Sequence, residues 1–421
     1  MKIWFWILIC FWLCCGYTHA QEPLPVNEDT IYLNLEDAQK RLMEKNLTLL
    51  LNYYNIDIAK ANYLQSKLLY NPNLTYWQEL YNPNKRDFLN YSDEHGGQIQ
   101  QLFTLAGRHK ATWKLAEVGV KQAQYQVADI LRNLKYELVT DMSDLYNNQA
   151  LVKIYNTEES KLLHLIEITQ NLYAKGNAAG EDVTRLQAQY RDAIAQELTS
   201  RQSIDNDEQD LKIILNYPPK TYFISLISIH DSATIPTFET VSDSAVKNRP
   251  DLLLAYSGSD YAEKNLKLQR TTGVPDLSLA ANFESVNDYE PNFWGIQGSI
   301  DLPVFNRNQW NIAAAKEQLK QSEINDSLML ATVQNQVVTS YTNLLRYKKQ
   351  MNEITPVYAQ NLEDMMNNAF TNYEKRYISI LDFLSELSTY LDGKTNLLNL
   401  QVQYFNAMHN LDMSTGTDLI K

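Results

Sequence analysis

Two hydrophobic periodicities run along this chain, and the pair is stated twice. Leu131, Leu134, Leu138, Met142 and Leu145 recur at spacings of 3, 4, 4 and 3, and Leu162, Leu165, Thr169 and Leu172 resume that rhythm. This is the near-heptad pattern of helices that pack along their length. Between Pro83 and Pro218 there is no proline, and Gly119 is the only glycine between Arg108 and Lys175. The pattern predicts one helix from Ala111 to Lys175, roughly 100 Å long at the rise of an α-helix. A second runs from Trp310 to Arg376, with Pro356 inside it predicting a kink near Asn352–Thr355. Shorter helical stretches are predicted at Leu35–Leu69, Glu181–Leu215, Val241–Arg270 and Tyr377–Ser414. Stacked end to end in pairs, they match the long helices, which gives four helical columns of similar length.

The other periodicity is two. In Asp276–Val286, Leu277, Leu279, Ala281 and Phe283 alternate with Asp276, Ser278, Asn282 and Glu284. In Phe293–Leu302, Trp294, Ile296, Gly298, Ile300 and Leu302 oppose Gln297, Ser299 and Asp301, after a polar turn at Asn287–Asn292. Asn73–Tyr81 and Gly97–Phe103 are the counterparts, blurred by Gln98, Gln100 and Gln101 and joined by the longer loop Asn82–Gly96. Strands that alternate apolar outward and polar inward fit either a soluble sheet or a membrane barrel wall. Aromatic residues near the strand ends (Tyr76, Trp77, Phe293, Trp294) and a stalk leading directly from the strands favour the barrel.

The order of elements repeats about halfway along. Asn71-Pro72-Asn73-Leu74 returns as Val274-Pro275-Asp276-Leu277. Tyr173, Lys175, Asp182 and Tyr190 align without a gap on Tyr373, Lys375, Asp382 and Tyr390. Repeats of this size each carry one structural unit. The domain division read from it is a leader at 1–20, a first repeat at 21–220, a linker at 221–240 and a second repeat at 241–421. Within the linker, Thr221–Ile229 reads as a strand on the outside of the bundle, with Pro23–Tyr32 as its copy.

Composition adds a compartment. Lys2, the apolar run Ile3–Cys15 and Thr18-His19-Ala20 form a secretory signal pattern. All three cysteines (Cys10, Cys14, Cys15) lie inside it, so disulfides and thiolate chemistry are not expected beyond it. A lipid on Cys14 or Cys15 is the rival reading. With 37 Lys+Arg against 50 Asp+Glu, the net charge of −13 argues against a nucleic-acid partner. No later stretch is apolar enough for a membrane helix, so any crossing is made by strands. Four strands close no barrel, and an open edge cannot sit in lipid. The chain is therefore expected to pool strands with copies of itself, as a dimer, trimer or tetramer.

With these features in place, the chain resembles the TolC family of outer-membrane efflux channels. Its most specific segment is Leu302-Pro303-Val304-Phe305-Asn306-Arg307-Asn308-Gln309, followed by Ala313-Ala314-Ala315. That corner is similar to the one in the CusC and CzcC branch, which serves cation efflux, although Trp310 stands where a glycine is usual. The resemblance implies a mainly α fold with a small β part. It also implies a homotrimer with a twelve-stranded β-barrel over a helical barrel. The implied partners are outer-membrane lipid, a periplasmic adaptor and an inner-membrane pump of the RND type.

The resemblance also assigns residues. Lys175, Gly176, Asn177 and Gly180 form one adaptor-docking tip, and Lys375, Arg376 and Tyr377 form the other; Arg376 departs from the glycine found at the first. Asp382, Glu386, Tyr373 and Asp182 become gate residues, Tyr373 as a latch of the closed state. The next family acid falls on Ser385, which carries no charge. Carboxylates gathered on a symmetry axis repel one another and attract cations. The competing reading is that Asp382 caps a helix start.

Other chemistry is weak in the sequence. The histidines beyond the leader sit at no metal-ligand spacing, and Met365-Met366 reads as helix packing. No nucleophile triad, phosphate loop or cofactor turn stands out, so neither enzyme activity nor a cofactor is expected. A periplasmic adaptor and an exported coiled-coil structural protein are the alternatives to a passive exit duct.

Overall fold

A computed structural model describes residues 29–83, 86–88, 94–227, 234–285, 292–353 and 356–419. The leader, its cysteines, residues 354–355 of the kink expected near Asn352–Thr355 and most of the polar turn at 287–292 lie outside the described residues. The elements in chain order are β1 (Asp29–Leu33), α1 (Leu35–Lys45), α2 (Leu47–Ser66), β2 (Asn73–Gln78), β3 (Tyr81–Asn82), β4 (Asp87–Phe88) and β5 (His95–Phe103). Then come α3 (Arg108–Ala174), α4 (Gly180–Leu215), β6 (Thr221–Ser225), α5 (Phe238–Asn248) and α6 (Pro250–Thr272). The chain finishes with β7 (Leu277–Glu284), β8 (Phe293–Ile300), α7 (Gln309–Glu353), α8 (Pro356–Glu374) and α9 (Ile380–Thr415).

The first long helix, α3, is unbroken for 67 residues. The expected Leu35–Leu69 helix is instead two, separated at Asn46. That residue leaves helical geometry (ψ 122°), and its side chain accepts the Leu49 N–H. Val241–Arg270 divides likewise at Arg249, because Pro250 holds the first position of α6 and pushes the residue before it out of the α region. Both breaks sit at the same place in the repeat. Arg249 is fully buried there. Its guanidinium bonds Asp251, Gln336 Oε1 at 2.6 Å and the Ser414 carbonyl at 3.3 Å, tying the break to α7 and the C-terminus. Burial acts to raise the Asp251 carboxyl, but the hydrogen bond and charge of Arg249 outweigh it and leave Asp251 below the usual range.

The main sheet has the order β2-β5-β7-β8, antiparallel throughout. Its register places Leu74 opposite Ile99, Ile99 opposite Ala281 and Ala281 opposite Ile296. One face therefore carries a continuous apolar band, and Ile296 in it is 89% exposed. The other face carries Thr75, Gln98, Asn282, Gln297 and Ser299. The expected aromatic girdle is corrected by half. Tyr76 and Trp294 lie on the apolar face, but Trp77 and Phe293, one residue out of phase, lie on the polar one. The Trp77 ring lies against Gly96, where an added Cβ would fall 2.4 Å from it. β2, β7 and β8, at 6, 8 and 8 residues, are shorter than expected, whereas β5, at 9 residues, begins two residues earlier than expected.

Below the sheet the helices keep its order: α2 packs on α3, α3 on α6 and α6 on α7. Farther down, α4 packs on α3, and α9 lies against α3, α7 and α8. The linker strand β6 pairs in parallel with β1, so the two predicted copies form one small sheet. Gln149 and Glu208 bond the backbone of Phe223 and Ser225 on β6.

Candidate functional site

Two helical tips and two open flanks are where this protomer can act on something else. The tips are built alike. At the first, the Gly176 N–H bonds the Tyr173 carbonyl at 2.9 Å and the Asn177 N–H bonds Leu172 at 2.8 Å. At the second, Arg376 bonds Tyr373 at 2.9 Å and Tyr377 bonds Asn372 at 2.7 Å. Each is a Schellman ending, which needs a left-handed residue at its centre. Gly176 fills it at φ +73°, and Arg376 fills it at φ +64°. A non-glycine residue there carries strain of roughly 1–2 kcal/mol. Across the gap, the Arg376 guanidinium donates to the Asn177 carbonyl, so the residue that strains its own turn ties the two tips together.

The helix starts after the tips differ. Ala179 offers α4 no side-chain cap. Ser379 and Asp382 form a full capping box on α9: Ser379 Oγ accepts the Asp382 N–H at 3.2 Å, and the Ser379 N–H donates to Asp382 Oδ2 at 3.2 Å. The capping role for Asp382 is therefore real, and its carboxylate remains exposed. Glu386, one turn on, is partly buried. Ser379 was missed in the sequence, although Ser-x-x-Asp before an apolar run is a readable signal.

Between the tips lies a cavity of about 470 Å³ lined by Thr169, Asn177, Asp182, Tyr373 and Arg376 among others. The Tyr373 ring stacks on Phe383 at 5.2 Å, and its hydroxyl lies 3.4 Å from Thr169 Oγ1. Burial raises the Tyr373 phenol; the Thr169 hydrogen bond acts the other way, nearby Asp182 adds to the rise and Arg376 opposes it. Tyr373, Asp182, Gly176, Asn177 and Arg376 are thus one cluster. Lys175 ends α3, Lys375 bonds back to Thr371, and Tyr377 is exposed. At Gly180 an added Cβ would lie 3.3 Å from the Tyr173 ring.

The barrel-to-helix corner is a separate place. Asn308 is left-handed (φ +58°) and its amide donates to the Gln269 carbonyl at 2.7 Å. The Arg307 carbonyl passes so near Gly273 that an added Cβ would lie 2.7 Å from it. Pro303 and Asn306 complete the corner, where Asn306 accepts the Asn308 N–H at 3.0 Å and Phe305 points outward.

The flanks carry the feature that a sequence scan for heptads could have found. On α2, Leu47, Leu51, Tyr54, Ile58 and Ala61 form an exposed stripe at spacings of 4, 3, 4 and 3. On α7, Ile324, Leu328, Ala331, Asn335 and Val338 form another at the same spacings. Both lie on the outermost helices of the row, beneath the two open edges, β2 and β8.

Residues 241–417 match the family model for outer membrane efflux proteins. The chain is 21% identical to outer membrane protein TolC of Escherichia coli K12 over 346 residues, covering 76% of this chain and 68% of TolC. It is 24% identical to toxin and drug export protein A of Aggregatibacter actinomycetemcomitans over 401 residues, covering 89% and 84% of the two chains. The solved structure of CusC superposes with a TM-score of 0.75 at 15% identity, covering 91% of this chain and 92% of that one. Together with the apolar sheet face, the doubled hairpin and the long paired helices, these matches make the chain similar to outer-membrane efflux proteins, by family model over residues 241–417 and by fold over 91% of its length.

Proposed function

We propose that this chain is the passive exit duct of a tripartite efflux system. The observation that carries the reading is the match between the open flanks. The sheet ends in unpaired β2 and β8, and the helices beneath each end carry an unpartnered heptad stripe. Both are satisfied at once when β8 and α7 of one copy meet β2 and α2 of the next. Such a head-to-tail contact closes into a ring when the rotation allows it. Three copies give twelve strands around one pore, with the apolar face in lipid and the polar face lining the lumen. Energy comes from an inner-membrane pump of the RND type, and a periplasmic adaptor docks on the tips. The corner Leu302–Gln309 favours cations as cargo, although Trp310 departs from that motif.

The gate assignment rests on Asp382, with Glu386, Asp182 and the Tyr373 cluster behind it. Because Asp382 also caps α9, Asp382→Ala would change both charge and helix end. Asp382→Asn removes the charge while keeping an oxygen for the cap. In planar bilayers the purified chain should conduct ions and be blocked by divalent cations, with Asp382→Asn relieving the block. A chain that never conducts, or that stays in the soluble periplasm, sinks the duct reading. Conduction with an unaltered block sinks only the gate.

A further inference from the structure

The upper ends of α2 and α3 are locally basic. Residues 54–70 and 108–122 hold Lys60, Lys67, Arg108, Lys110, Lys114 and Lys121 against Asp57 and Glu117, within a chain of net charge −13, and Arg108 is taken up by Asp276. Three of these ammonium groups converge. Glu117 is held below its ordinary range first by its hydrogen bond to Lys114, 2.7 Å away, and further by the charges of Lys114, Lys121 and Lys67. Aromatic rings brace the same cations. Lys67 Nζ lies 4.1 Å from the Tyr63 ring centre and 5.6 Å from that of Trp113, and Lys114 Nζ lies 4.6 Å from that of Trp113. Tyr63 and Trp113 meet edge to face at 6.5 Å, joining α2 to α3. Ammonium groups held over rings lose mobility without losing charge.

The place of this cluster matters. Helix α3 begins at Arg108, directly after β5 and the apolar sheet face. Lys114 is therefore about 9 Å below the sheet and Lys121 about 20 Å, at the rise of an α-helix. The polar region of a lipid leaflet begins where the apolar band ends, within that reach.

We propose that the Lys67–Trp113–Lys114 cluster is a seat for the phosphate of an anionic lipid headgroup at the periplasmic rim of the barrel. It rests on the membrane reading of the sheet. One carboxylate, Glu117, cannot neutralise three ammonium groups, which leaves net positive charge for a lipid phosphate. Each such charge near an anionic surface adds an attraction that salt screens. The row repeats around a ring of copies, so the seats form a collar.

The test uses the full chain in phosphatidylcholine vesicles, with and without phosphatidylglycerol, reading the thermal unfolding midpoint and the lipids retained in native mass spectra. Phosphatidylglycerol should raise the midpoint and be retained, and 0.5 M NaCl should weaken both. Lys67→Ala with Lys114→Ala should abolish the difference between the two lipids. Lys153→Ala, an exposed lysine far down α3, should leave it intact. Because the double variant removes two ring contacts, a milder one, Lys114→Gln, should reduce the difference by itself. Equal midpoints in both lipids for the unaltered chain overturn the seat. So does a phosphatidylglycerol effect that survives in the double variant, or one reproduced by inorganic phosphate alone. Failure to insert into either vesicle is a different result, because it removes the membrane wall on which the seat depends.

Discussion

A few residues bear more than their local helix. Arg249 is buried to 2% exposure with its charge matched by Asp251, so removing the cation strips that carboxylate of its bidentate partner and leaves it only Arg132, 3.5 Å away, as a counter-charge. Arg249→Met is expected to cost about 3 kcal/mol, the usual penalty for breaking a buried pair. A lowered thermal midpoint with unchanged helix content would register it. Ser379→Ala removes one half of the α9 capping box and should cost about 1 kcal/mol locally. Faster amide hydrogen exchange in the first turn of α9, with the first tip unaffected, is the expected signature. Arg376→Gly relieves the left-handed strain but cuts the tie to Asn177. The tips should then exchange faster as a pair, whereas slower exchange would mean that the strain outweighed the tie.

At the scale of elements, the lower helices should respond to pH. Glu158 on α3 is 2% exposed with Oε1 unpartnered, and burial raises its carboxyl to about 7, against a small lowering by Lys161. Burial also raises Asp141 to about 7 and Asp207 to about 6, with neighbouring carboxylates adding to both and an Asn148 hydrogen bond lowering Asp207. A carboxyl raised in the folded state takes up more protons than the unfolded chain between the two pKa values. The stability that these three groups contribute is therefore fully present in acid, is lost as pH climbs from about 4.5 to about 7 and levels off above that. Glu158 alone contributes on the order of 3 kcal/mol to that slope, by the free energy of one pKa unit. Hydrogen exchange of the α3–α9 contact at pH 5.5 and 7.5 should differ, and Glu158→Gln should shrink the difference.

The whole molecule is an open arc whose flanks must find each other. Inside the chain, Gln122 on α3 reaches the Ser257 carbonyl on α6 at 3.4 Å. Carried through the repeat, Ser257 corresponds to Tyr54 and Gln122 to Ser322, so that contact places Tyr54 of one copy beside Ser322 of the next. Beyond Cys15 the chain holds no cysteine, so Tyr54→Cys with Ser322→Cys gives a clean cross-link. Oxidation should produce dimers and then a ladder that stops at three. A ladder ending at two or four would change the ring size, and absence of cross-links would refute the pairing. Ile324→Glu should leave the protomer folded but weaken assembly, because a buried unpaired charge is costly in a heptad seam.

Much of this fold is written in period and punctuation. The heptad run without proline gives α3 its length, and strict alternation gives β7 and β8 their two faces, because each side chain's direction follows from its place in a regular element. The doubled order of elements follows for the same reason. Local chemistry also marks the glycine at Gly176, and Asp382 as a candidate helix cap, although its partner Ser379 was missed. The sequence was weaker wherever one element answers to another. Asn46 breaks a helix because its amide also reaches the Ile214 carbonyl, 168 positions away. The pleat turns Trp77 to the polar face, but only the neighbouring strand supplies Gly96 against its ring. Arg376 holds a left-handed backbone, and its guanidinium donates to the Asn177 carbonyl on the other tip. Periodicity determines which way a residue faces on its own element; only packing decides what it meets there.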